Sequence, residues 1–383
     1  MGIEYRKECN NNVVVEISSF TPETGVKECN LIFHSNLKGA SFEKQLKDIH
    51  SVLSGMAFES EGNLKPVFKR YFLSDFANQA DVLSAALCNN NDICAVSFVQ
   101  QPPLDGTKVA LWVYMQSDME LSMLKGNLIA KHNGYNHIWT AGSVVPEKGS
   151  DHQTTVLLEK YSEDIKEIGC TIKDNCVRTW FFVQNVDVNY GGVVTARKQW
   201  FEEHGLTHNT HYIASTGIEG RYSDHRASVL FDAYAVGGLQ PGQQVYLYAP
   251  THLNPTYEYG VTFERGVKVI YGDRNHIFIS GTASIDNKGH IVHEGNISNQ
   301  AERMMENINV LLSEAGSDMQ DVMQMIIYLR DIADYNVIEQ YFRENYPEIP
   351  KIITLAPVCR PGWLVEAECI AVNNKGIESY KPL

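Results

Sequence analysis

No stretch of the sequence approaches the ~18–20 uncharged apolar residues of a membrane span. Its opening residues, MGIEYRKECNNN, contain no apolar run of the kind a secretory signal needs. Residue 6 is Arg where a myristoylation signal wants Ser or Thr. Positive charge is also scarce: 32 Lys and Arg stand against 46 Asp and Glu, a net −14. A nucleic-acid binder needs clustered basic residues interleaved with aromatics, and no such stripe is present. An anionic small molecule would need a local basic pocket to overcome the field of the whole chain. None of the eight cysteines forms a C-x-x-C pair, and neither Cys88/Cys94 nor Cys170/Cys176 has a His at zinc spacing. They read as free thiols in a reducing compartment. His204, His208 and His211 form H-x3-H-x2-H, but Gly205 interrupts the helix and the spacing fits no zinc pattern. G-x-x-x-x-G-K-[ST] is absent. The expectation is a soluble, cytoplasmic protein with no metal, no cofactor, no nucleic-acid partner and no membrane contact.

What is present is self-similarity. With 383 residues, 44% of them hydrophobic, the chain exceeds one small domain. Asn30-Leu-Ile-Phe-His-Ser35, Asn136-His-Ile-Trp-Thr-Ala141 and Asn275-His-Ile-Phe-Ile-Ser280 read as three copies of one buried strand. An amphipathic helix follows each, with its apolar face on Phe42, Leu46, Ile49 and Leu53, then Leu158, Tyr161, Ile165 and Ile168, then Met304, Ile308, Leu311 and Leu312. Next come apolar strands at 67–73, 177–183 and 322–329, second helices near 76–87, 193–203 and 335–345, and last strands at 109–115, 227–236 and 363–372. The pattern is a β-β-α-β-α-β unit repeated three times, with breaks near 117–126 and 241–255. It predicts an α+β fold of three units, residues 1–125, 126–250 and 251–383. Their sheets would pack edge to edge into a closed, pseudo-trimeric barrel with helices outside. Sites in such an assembly lie in the clefts between units, and one working cleft suffices. A chain that closes its own ring needs no partner copy, so the expected state is a monomer.

In the third unit, Phe263-Glu-Arg-Gly266, Ile279-Ser-Gly281, Asn299-Gln-Ala-Glu302, Asn307-Ile-Asn-Val-Leu311 and Val365-Glu-Ala-Glu-Cys-Ile-Ala371 occur in order. This run, about residues 255–375, resembles the RidA (YjgF, L-PSP endoribonuclease-like) superfamily, whose single-unit members assemble as trimers. A closer resemblance, over roughly 175–370, is to the chorismatases. It rests on Arg178-Thr-Trp180, Tyr190 with Arg197 and Phe201, Ala214-Ser-Thr-Gly-Ile218, Phe263-Glu-Arg265, Ser280-Gly-Thr-Ala-Ser284 and Val358-Cys-Arg-Pro-Gly-Trp-Leu-Val-Glu366. The first 120 residues share only the organisation. Chorismatases remove pyruvate from chorismate, giving a dihydroxycyclohexadiene carboxylate or a hydroxybenzoate. The resemblance places the catalytic Glu on Glu366 and the cysteine of the hydroxybenzoate-forming branch on Cys359.

The residues themselves fit that chemistry. Glu366 and Glu368 share one strand face about 7 Å apart. A carboxyl buried in an apolar strand is held protonated, and a neutral acid at pH 7 can protonate the methylene of an enol ether. Ala110 and Leu230 occupy the aligned places in the other two units, so only one copy carries the acid. Arg178, Arg197, Arg265 and Arg360 are the candidate grips for carboxylates of a small anionic substrate. Thr216 and Gly217 read as a loop that approaches the ligand closely. Ser280, Gly281 and Thr282 could offer hydroxyl and N–H donors, and Tyr190 completes the substrate-binding set. Two departures bear on substrate. RidA-type deaminases carry Tyr where this chain has Phe263, and Arg where it has Lys351 or Ile352. The chorismatase helix usually carries Asn at the place of Val194. The alternatives are therefore a RidA-type enamine/imine deaminase and a non-catalytic small-ligand-binding protein. The acidic balance argues against the older endoribonuclease label of the superfamily.

Overall fold

The computed structural model describes residues 2–383 except 11, 24, 57–62 and 88–92; Cys88 thus lies outside the described residues. The first unit holds β1 (Glu4–Asn10), β2 (Val13–Phe20), β3 (Glu28–Ser35), α1 (Phe42–Gly55), β4 (Lys65–Leu73), α2 (Phe76–Leu87), β5 (Ala95–Gln100) and β6 (Val109–Gln116). The second holds β7 (Glu120–Leu124), β8 (Asn127–His132), β9 (Tyr135–Val144), α3 (Ser150–Lys166), the single turn α4 (Ile172–Asn175), β10 (Cys176–Val183), α5 (Val186–Glu203), β11 (Ala214–Glu219) and β12 (Val229–Gly237). The third holds β13 (Gln244–Leu247), β14 (Gly266–Ile270), β15 (Asn275–Ala283), α6 (Ile297–Glu314), β16 (Val322–Leu329), α7 (Tyr335–Asn345), β17 (Lys351–Leu355) and β18 (Val365–Asn373).

One strand order recurs in three six-stranded sheets: β1-β2-β3-β6-β4-β5, β7-β8-β9-β12-β10-β11 and β13-β14-β15-β18-β16-β17. All neighbours run antiparallel except the last pair of each sheet, which is parallel. Each unit is therefore longer than the sequence pattern predicts. It gains an antiparallel hairpin partner before the first strand and a parallel edge strand after the second helix. The first strands of the second and third sheets, β7 and β13, lie before the 125/126 and 250/251 divisions.

Side chains alternate across each strand; in inner strands such as β6, β10, β12 and β16 both faces are buried, so these read as nearly continuous apolar runs, while the edge strands β1 and β7 stay largely exposed. Inner faces of all three sheets meet in one core containing Trp112, Trp139, Trp180 and Phe278. Outer faces of the first and second sheets pack beneath their helices in separate cores, around Leu46 and Ile49 in the first and Leu158 and Tyr161 in the second. The molecule is the expected pseudo-trimeric barrel with helices outside. Among the described residues, continuous pairing does not run from one sheet into the next. Single bridges join them in turn: Gln100 with Arg221, Ala214 with Glu264, and Thr354 with Pro103.

Each seam also carries a buried ion pair. Arg70 on β4 meets Asp232 on β12 at 2.8 Å. Arg178 on β10 meets Glu368 on β18 at 2.8 Å. Arg274, just before β15, meets Glu28 on β3 at 2.5 Å. Each arginine comes from one unit and its acid from another. Such pairs return little net stability, but stranding one partner is costly, so they penalise any misregistered docking of the units. No helix among the described residues is long and apolar enough to cross a membrane.

Candidate active site

The clearest functional cleft lies at the seam between the second and third sheets. Its acid is Glu366. β18 is an inner strand flanked by β15 and β16, so Glu366 is 5% exposed and does not face solvent from an edge. Burial foremost, and then the neighbouring Glu368, push its carboxyl up to about 8, while Arg178 and Arg265 pull the other way. The group is thus a neutral acid at pH 7. Among the described residues no side chain donates a hydrogen bond to it. Gly281 makes its seat: a Cβ there would lie 2.0 Å from Glu366 Oε1.

Three guanidiniums line the same cleft. Arg197, which the helix pattern alone would allow in solvent, is 1% exposed on α5. Its Nε donates to Thr262 Oγ1 at 3.3 Å and its Nη1 to Ser215 Oγ at 3.5 Å, while Nη2 is buried with no partner among the described residues. Arg265 donates to the carbonyl and side-chain oxygens of Asn254 at 3.0–3.3 Å. Arg360 donates to the Tyr259 carbonyl at 2.8 Å. All these partners are neutral oxygens, so three positive charges converge on a site whose own acid is protonated. The Tyr259 ring lies between Arg265 and Arg360, at 5.3 and 4.7 Å. Phe263 and Trp363 extend this wall. Phe263 offers a hydrocarbon face and no hydroxyl.

Tyr190 enters from α5, and its ring fits only because residue 217 is Gly: a Cβ there would lie 2.6 Å from Tyr190 Cε2. Burial raises the Tyr190 phenol well above its ordinary range. Cys359 lines the cleft beside it. Burial, then the nearby Glu366, push its thiol up to about 12, against a hydrogen bond from Tyr190. Cys359 is therefore a neutral thiol wall at pH 7, not a thiolate nucleophile.

The remaining expected residues stand behind this surface. Arg178 is spent on Glu368 and on Thr216 Oγ1 at 2.5 Å. Thr216 and Gly217 lie on β11, not in a loop. The short polar run Ala-Ser-Thr-Gly-Ile-Glu pairs in parallel with β10, which supplies the backbone partners that local sequence cannot show. The Gly281 N–H donates to Thr216 Oγ1 at 2.9 Å. Ser280 Oγ donates to the Glu264 carbonyl at 2.6 Å and accepts from the Ser215 N–H at 2.9 Å. Thr282 Oγ1 donates to the Ser280 carbonyl at 2.9 Å. These groups knit the seam and leave Gly281 as the member of the Ser-Gly-Thr run that lines the cleft. Sequence reasoning missed Ser215, Tyr259 and Trp363 as lining residues; the aromatic run Tyr257-Glu-Tyr-Gly-Val-Thr-Phe263 was the available signal.

The histidine triplet disperses. His204 stacks on Trp200 at 3.6 Å and His211 on Tyr246 at 4.5 Å, while the His208 ring lies 5.4 Å from Tyr257. Among the described residues no group of three His, Cys, Asp or Glu could hold a metal. Lys351 is also remote from the acid: its Nζ donates to the carbonyls of Tyr346 and Ile349, both at 2.9 Å, at the seam between the third and first sheets.

Comparison with known proteins bears on this geometry. The family model for Endoribonuclease L-PSP matches residues 263–373. The 3-aminoacrylate deaminase RutC of Acinetobacter baylyi is 38% identical over 99 residues, which are 25% of this chain and 79% of that protein. A RutC family protein of Pyrococcus abyssi is 32% identical over 99 residues, 25% of this chain and 78% of its own. A chorismatase crystal structure superimposes with a TM-score of 0.63 over 80% of this chain and 93% of that one, at 18% identity. That identity speaks to fold alone. With the L-PSP match confined to the third of three like-ordered sheets, and a chorismatase-like arrangement of the whole, the chain belongs to the RidA (RutC, L-PSP) superfamily.

Proposed function

We propose that the protein is a chorismatase-like enzyme that removes pyruvate from chorismate or a related cyclic enol ether, with Glu366 as general acid. One observation carries the reading: a buried carboxyl held protonated near pH 7, in a cleft lined by three arginines whose partners are all neutral. An uncharged acid surrounded by cations suits a substrate that is anionic overall but is protonated at carbon.

In this reading Arg197, Arg265 and Arg360 take the substrate carboxylates, and Tyr259, Phe263 and Trp363 cover the ring. Glu366 gives its proton to the enolpyruvyl methylene. The π electrons form the new C–H bond, and the ether oxygen stabilises the cationic carbon. Water adds to that carbon and loses a proton to the Glu366 carboxylate, and the resulting hemiketal breaks its C–O bond to release pyruvate and the cyclic alcohol. Attack of the neighbouring ring hydroxyl oxygen on the ring carbon that bears the ether, with its proton passing to the Glu366 carboxylate, would instead break that C–O bond, release pyruvate and leave an arene-oxide-like ring that opens to a hydroxybenzoate by losing a ring proton, with Cys359 as the neutral wall beside it.

The RidA-type deaminase reading draws on the 38% identity to RutC. Against it stand Phe263 and the remote Lys351. The test is incubation with chorismate, following pyruvate with lactate dehydrogenase and separating the aromatic products. Pyruvate release that disappears in Glu366→Gln supports the proposal. A folded protein that releases none from chorismate overturns chorismate as substrate, and imine hydrolysis by the same sample would favour the deaminase.

A further inference from the structure

Glu366 and Glu368 stand two residues apart on β18 and point to the same side. Their surroundings are opposite. Glu366 has no donor among the described residues. Glu368 has three: Arg178 Nη2 at 2.8 Å, Thr216 Oγ1 at 2.5 Å and Trp180 Nε1 at 2.7 Å. All three come from the second sheet, whereas both acids belong to the third. Thr216 Oγ1 also accepts from Arg178 and from the Gly281 N–H. Gly281 is the residue on which the Glu366 carboxyl rests. One hydroxyl therefore touches the second acid, its counter-ion and the seat of the first acid.

We propose that Glu368 is a positioning residue: its ion-paired carboxylate, clamped by the second sheet, holds Glu366 in the acid form, and Thr216 keeps the two carboxyls in register. A fixed negative charge beside Glu366 makes a second one costly. It also offsets Arg178, whose positive charge pulls Glu366 toward ionisation. The other charged or titratable groups around Glu366 are Arg197, Arg265, Arg360, Tyr190, Tyr259, Tyr328 and Cys359. Of these, Arg265 opposes the acid form. The molecule holds its own control. Asp232 occupies the Glu368 place in the second sheet and is likewise ion-paired, yet Leu230 stands where Glu366 would be. A clamp of this type can thus be structural alone, and a readout of protonation is needed.

This inference rests on Glu366 as the acid, and its test needs no substrate. The protein is labelled with ¹³C at the Glu side-chain carboxyls and titrated by NMR, the Glu366 signal being the one missing in Glu366→Gln. In Glu368→Gln the Glu366 midpoint should fall by about one pH unit or more, a tenfold weaker hold on the proton. Thr216→Val should shift it less, and Thr216→Ser should restore it. A folded Glu368→Gln with the wild-type midpoint overturns the proposal. If that variant does not fold because Arg178 is stranded, the Arg178→Gln, Glu368→Gln double variant is compared with Arg178→Gln alone. Equal midpoints in that pair would equally sink it. Failure of chorismate turnover leaves this result standing, and the reverse also holds.

Discussion

The same rung recurs in the three sheets as His34 opposite Ala110, Val144 opposite Leu230 and Ala283 opposite Glu366. Backbone position is repeated, but chemistry is not. The second sheet's rung is wholly apolar. The third sheet's rung carries an acid that has no hydrogen-bond donor among the described residues and faces a cleft. The first sheet's rung carries a histidine with both nitrogens engaged: Nδ1 with Asp105 Oδ2 and Nε2 with the Lys351 carbonyl, each at 3.1 Å. Both partners are acceptors, so His34 holds best as an imidazolium, tying the first sheet to the third. A satisfied polar group fastens a seam, whereas an unsatisfied one is free to react. The seam ion pairs, by contrast, recur at all three junctions, because docking has to be specified three times.

This contrast can be broken at graded cost. Glu366→Gln should cut turnover on the order of 10²–10⁴-fold with the fold retained. Wild-type turnover should fall as pH rises through about 8, where the acid is lost. The same carboxyl binds its proton more tightly folded than unfolded, so it erodes stability as pH rises from its ordinary range to about 8. Glu366→Gln should accordingly unfold at higher urea than wild type at pH 8, and show no such gain at pH 4. Asp232→Ala strands the fully buried Arg70 and should cost about 3–5 kcal/mol in urea unfolding. Activity per folded molecule should survive, because Glu366 and its cleft lie at a different seam.

Gly281→Ala drives a methyl into the Glu366 carboxyl. It should lower kcat on the order of 10²-fold, as misplacement of a reacting group by about 1 Å does. Arg197→Met removes a cleft guanidinium whose buried Nη2 has no partner among the described residues and should raise KM about tenfold, the loss of one charged hydrogen bond. The smallest effect belongs to His34. Burial alone would push it down, but Asp105 and Glu16 outweigh burial and raise it. Its contribution is therefore complete below the unfolded histidine range and is lost as pH rises through the raised value. The difference in unfolding free energy between wild type and His34→Gln should shrink by about 1 kcal/mol from pH 6 to pH 9.

The units were legible because the inner strands are buried on both faces and their helices have a clean apolar stripe. The parallel edge strands β5, β11 and β17 were not. Each is short, and its backbone partners lie on the far side of a helix, so Thr216 and Gly217 read as a loop. Glu366 was legible as a charge in an apolar run with apolar counterparts at Ala110 and Leu230. The seam pairs were silent: Arg70 and Asp232 are 162 residues apart, and Arg274 and Glu28 are 246 apart. No local pattern links residues so distant. The same holds for Arg178, whose partner Glu368 lies 190 residues away.

Both walls of the cleft at Glu366 are drawn from one polypeptide: Tyr190, Arg197 and Gly217 on one side, Arg265, Gly281 and Glu366 on the other. Their meeting is a first-order event, set by the tether between β11 and β14 and not by collision of separate chains. Dilution cannot part them. A cleft built this way keeps its specific activity at concentrations where a ring of separate subunits would come apart.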